Sequence, residues 1–128
     1  MKLLKMNKII RFTALFVFLS TNLFAQNNKM IERANTLVEE MNSQIISEDK
    51  TLALSENQKL NIRELTTQRM QAIKDLKKSE ANKEKRKEAQ KAINKEYNQK
   101  INSKILSKEQ RLAFRDARKK IKDKKNKD

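Results

Sequence analysis

Proton transfer in this chain would fall to carboxylates, lysines and a single tyrosine, because its 128 residues include no histidine and no cysteine. Without those side chains there is no imidazole base and no thiolate nucleophile. A tight zinc site, which draws mainly on the same two residue types, is not expected on the same ground. Glycine is also absent, so no glycine-rich loop exists to cradle a phosphate. The adjacent carboxylates Glu39 and Glu40 diverge on a helix instead of converging on a substrate. Tyr97 falls in the four-residue-step run Ala89, Ile93, Tyr97, Ile101, Ile105 and reads as packing. The expectation is a protein that is not an enzyme, with no catalytic residue, cofactor or metal.

Binding chemistry has better material. Arg69, Met70, Ile73, Lys74, Lys77 and Lys78 mix cationic heads with flexible apolar stems within one stretch. Methionine adapts to varied shapes, and lysine and arginine lay their methylenes along apolar surface. Such a face suits acidic or unfolded segments, drawn by long-range charge and then held by apolar patches. The plainer reading of the same residues is an ordinary solvated basic face. Overall, 31 basic residues stand against 16 acidic ones, a net charge of +15 that favours acidic partners.

A second pattern concerns architecture. Leu54-Ser55-Glu56-Asn57-Gln58-Lys59 recurs as Leu106-Ser107-Lys108-Glu109-Gln110-Arg111. Ser-x-x-Gln is a capping box: the hydroxyl accepts from the backbone N–H three residues on, and the glutamine reaches back to the serine N–H. Glu56 and Glu109 add negative charge at each helix's positive end. The staple positions opposite Leu54 and Leu106 are Lys59 and Arg111, so these leucines are expected to pack on another element.

Three helical stretches must carry these residues. Met30, Ile31, Ala34, Leu37, Val38, Met41 and Ile45 align on one face of a helix from about 28 to 46, followed by a linker. Ile62, Leu65, Ala72, Ile73 and Leu76 mark a second, with Arg69 where an apolar residue is expected. The tyrosine run marks the third. The charged stretch between the last two admits either one helix from 56 to 105, about 75 Å long, or a hairpin turning near 79–82. The hairpin gives two arms of about 35 Å whose apolar stripes cover each other, which favours it. In that reading Asn82 ends the second helix in the left-handed conformation. The hairpin, at about 55–106, brings both capping boxes to one end. A single all-α domain at 26–118 is expected, with a disordered basic tail at 119–128, whose composition cannot offset ordering entropy.

Residues 1–25 have the form of a cleaved signal peptide. Lys2, Lys5, Lys8 and Arg11 precede a mostly apolar stretch that is too short to span a bilayer, with a cut after Ala25. An uncleaved anchor is the competing reading. Cleavage leaves 27 basic and 16 acidic residues, a net +11. An exported, periplasmic protein meets little nucleic acid, and aromatics limited to Phe and Tyr leave few stacking platforms for single strands. An anionic membrane surface is compatible with the amphipathic helices.

Two Leu-Ser-x-x-Gln motifs bracketing a basic helical stretch behind a signal peptide resemble the Spy/CpxP (LTxxQ-motif) family of small envelope-stress proteins. The likeness covers about residues 52–119 and includes the aromatic Phe114 after the second motif; serine stands where threonine is commoner. The resemblance implies an all-α, cradle-like homodimer and an ATP-independent holdase-type chaperone that binds unfolded exported proteins. The alternative it implies is a regulatory adaptor docking on an envelope-stress sensor.

Overall fold

The computed structural model describes residues 28–127; residues 1–27, which include the stretch 1–25 expected to be a signal peptide, and Asp128 lie outside the described residues. Four α-helices run in order among them: α1 (Asn28–Glu48), α2 (Glu56–Ser79), α3 (Lys83–Lys100) and α4 (Lys108–Lys125). A 3-10 turn at Lys50–Leu52 joins α1 to α2, and a π-turn at Ile101–Ile105 joins α3 to α4. The fold is all-helical.

The stripe on α1 is buried at Ala34, Val38, Asn42 and Ile45, steps of four, four and three. Asn42 is a polar residue in an apolar row, and its burial has a partner. Its Oδ1 accepts from the Leu54 amide at 2.8 Å, the backbone group just ahead of the first capping box. An unpaired buried amide there would cost about 1–3 kcal/mol. Asp49 turns the chain between the two helices, with Oδ1 accepting from the Thr51 amide at 2.9 Å and the Thr51 hydroxyl at 2.6 Å. Those two bonds hold its carboxyl below the ordinary carboxylate range.

Both capping boxes form. Ser55 Oγ accepts from the Gln58 amide at 3.1 Å while Gln58 Oε1 accepts from the Ser55 amide at 3.0 Å. Ser107 and Gln110 repeat the pair at the same two distances. Leu54 and Leu106 are buried with Val38, Ile45, Ile62, Ile101 and Ala113 in the core, as the missing staple partners suggested. Full burial of a side chain such as Ile62 contributes roughly 1.5–3 kcal/mol.

α2 stops at Ser79, and the helix does not continue through the charged stretch. Asn82 departs from expectation: it does not end α2 in the left-handed region, and no described residue has positive φ. With φ −77° and ψ 118° it begins α3, its Oδ1 accepting from the Lys85 amide at 3.1 Å. Asparagine is as good an N-cap as a C-terminal turn residue, and the extended Glu80 already completes the break. At the other end of α3, the Leu106 amide donates to Ile101 O at 3.0 Å, five residues back, which widens the last turn.

The tail also departs from expectation. α4 is helical through Lys125, beyond the boundary at 118, although the last buried residue is Ala117. Lysine propagates helix well and basic groups suit a helix's negative end. Lys120 adds a link to α1 through Glu48 Oε1 and Oε2 at 2.8 and 2.9 Å.

Candidate functional site

α1 and α2 run antiparallel, and their cross-links change character along their length. Near the capping boxes, Lys59 pairs with Glu39 at 3.3 Å. One turn further along α2, Arg63 Nη1 donates to Asn35 Oδ1 at 3.0 Å. Beyond Thr66, the last buried residue of α2, the pairing ends and Arg69 faces Arg33. Burial, and secondarily the Arg33 charge, lowers the Arg69 guanidinium from its usual range without neutralising it.

A groove of about 450 Å³ opens there. Arg69, Met70, Ile73, Lys74 and Lys77 of α2 all line it, so five of the six binding residues expected from sequence share one surface. Lys78 does not: it is exposed in the last turn of α2, outside the lining. α1 supplies the opposite wall with Lys29, Met30, Arg33 and Leu37, and α3 contributes Gln90. No carboxylate is among the lining residues, so the cations converge unneutralised over an apolar floor. Sequence reasoning missed the α1 wall. Its signal was present in Arg33, which interrupts the Met30–Leu37 stripe as Arg69 interrupts that of α2.

The capping residues form a different centre. Gln58 Nε2 donates to Gln110 Oε1 at 2.8 Å, and Gln110 Nε2 returns a bond to Gln58 Oε1 at 3.1 Å. Each amide spends its second hydrogen on the backbone beside the other motif: Gln58 on Ile105 O at 2.9 Å, Gln110 on Leu52 O at 3.1 Å. With the serine amides also bound, both glutamines use two donors and two acceptor positions, their whole capacity. The two motifs, 52 residues apart, are thereby one knot. Phe114 packs against this core and carries Arg118 over its ring at 5.4 Å. Tyr97 is half-buried, which raises its hydroxyl pKa, and Lys100 Nζ lies 5.1 Å from its ring centre.

Among the described residues no helix is long and apolar enough to cross a membrane, and no group of acidic residues is placed to hold a metal ion. Comparison of the chain with models of protein families, with curated proteins and with solved structures finds no match.

Proposed function

We propose that the protein is an exported, ATP-independent holdase-type chaperone that keeps unfolded proteins soluble in the groove between α1 and α2. The observation that carries this reading is the groove's composition: five cations and two methionines, with no carboxylate in the lining. Long-range charge draws an acidic or unfolded segment in, and the flexible apolar floor holds it without demanding one shape. Arg33 and Arg69 present like charges to each other across the groove, with no acidic side chain in the lining.

The two-motif resemblance to the Spy/CpxP family supports the same reading. So would a hairpin of α2 and α3, for which the bond from Gln58 to Ile105 O speaks by joining the first turn of α2 to the π-turn that follows α3. A cradle-like homodimer is part of the proposal. Ile31, Leu60 and Ile121 remain 41–43% exposed, which a second copy would help to cover. Sedimentation velocity at micromolar concentration tests that part separately.

The function is tested by aggregation of a denatured client without ATP. Suppression that weakens at high salt and is lost in Arg69→Glu/Lys74→Glu is the expected result. No suppression at several-fold molar excess would sink the reading. Capture of one defined membrane protein through the same face, with no effect on aggregation, would replace it with the adaptor role.

A further inference from the structure

A second cavity, of about 470 Å³, lies where α4 crosses α1 and the end of α3. Its charge comes from Arg111, Arg115 and Arg118, spaced four and three residues apart on one face of α4. Its floor is apolar: Met41 and Ile101 from the core side, Leu112 and Phe114 from α4 itself. No carboxylate is among its lining residues.

Each guanidinium is already anchored by one contact. Arg111 Nη1 donates to Asn102 O at 2.9 Å, a carbonyl within the π-turn. Arg115 meets the neighbouring Asp116 at 3.3 Å, and Arg118 lies over Phe114. A guanidinium has five N–H donors, so the anchors fix orientation and leave donors free. Arginine's planar fork matches carboxylate and phosphate oxygens two at a time, as a lysine point charge does not. The volume falls within the roughly 300–1,000 Å³ of small-molecule clefts.

We propose that this cavity binds a single lipid molecule, an anionic amphiphile whose carboxylate or phosphate head meets the three arginines while its chain lies on Phe114, Leu112, Ile101 and Met41. The site is separate from the α1–α2 groove and does not rest on the chaperone reading.

Isothermal titration of the purified protein with laurate and with dodecyl phosphate, both as monomers, tests it. Saturable binding at one site per chain is expected for at least one of them. Dodecanol, which lacks the charge, and inorganic phosphate, which lacks the chain, should bind at least tenfold more weakly. Arg115→Ala/Arg118→Ala removes two exposed side chains and should weaken binding at least tenfold with helicity unchanged. Arg118→Lys, which keeps the charge but loses the fork, should weaken it several-fold. Arg69→Ala, in the other groove, should leave it within twofold. The proposal is overturned if neither amphiphile saturates or if the double variant binds within twofold of the parent. It is equally overturned if Arg69→Ala abolishes binding, or if phosphatidylglycerol vesicles bind while the monomers do not.

Discussion

The two ends of this molecule are built on opposite terms. At the capping-box end, seven apolar side chains are buried around the Gln58–Gln110 pair, whose own side-chain donors and acceptors are all satisfied. At the groove end, no residue from 67 to 100 is buried and like charges face each other. Stability is concentrated in the first region and binding capacity in the second. The difference teaches how a small core can serve a long basic surface: the core fixes one end of the helices and leaves the other open. Local opening is expected to follow the same gradient.

The comparison breaks most readily at Ile62, which is 1% exposed. Ile62→Ala should lower unfolding free energy in urea by about 2–5 kcal/mol. Exposed Lys77→Ala should stay within about 0.5 kcal/mol. Equal losses at the two sites would mean that stability is not concentrated at all.

Next in size are Gln58→Ala and Gln110→Ala, each leaving buried partners unsatisfied at roughly 1–3 kcal/mol. Because the two amides bond each other, the double variant should cost less than the sum, with a coupling of about 0.5–3 kcal/mol. Strict additivity would show that the motifs cap independently. Ser55→Ala and Ser107→Ala remove one cap each, for about 0.5–2 kcal/mol.

Arg69→Met should move the other way. It relieves a half-buried cation beside Arg33 and is expected to raise stability by up to about 0.5 kcal/mol while impairing client capture. Loss of both stability and capture would tie the groove to the core.

The smallest effect is at Asp49. Its folded pKa is lowered, so its contribution is present above about pH 4, its ordinary range, and is lost as pH falls through the lower folded value. Asp49→Asn, which keeps the acceptor but not the charge, should flatten that part of a stability–pH curve, lowering stability slightly at neutral pH and leaving it unchanged below the folded value.

Much of this organisation was legible in residue order. The capping boxes are local patterns, each needing only a serine and a glutamine three apart, and both formed where the pattern lay. Burial on α1 followed its periodicity at Ala34, Val38 and Ile45, whereas Ile31 of the expected stripe is exposed and Asn42 took a core position that only its tertiary partner, the Leu54 amide, explains. Glutamine pairing across 52 residues left no local trace, since each box is complete by itself. The groove was half legible: α2 carried its residues in one stretch, whereas the α1 wall depended on which helices pack together. Asn82 shows the limit of local chemistry, because asparagine suits both the end of one helix and the start of the next. The ordered end of α4 was hidden by composition, which registers charge but not the reach of Lys120 to Glu48.

The break at Glu80–Asn82 has a topological consequence. The core draws Val38, Ile45, Leu54 and Ile62 from before it and Ile101, Leu106 and Ala113 from after it. Covalent continuity at that point therefore supplies effective concentration and no packing. A protease cutting at exposed Lys78 or Lys83 would leave two fragments whose mutual surface is whole, and they should stay associated as a nicked, noncovalent pair. The chain is in this sense already divided into complementary halves, and a reporter or binding module inserted at 80–82 should leave their assembly intact.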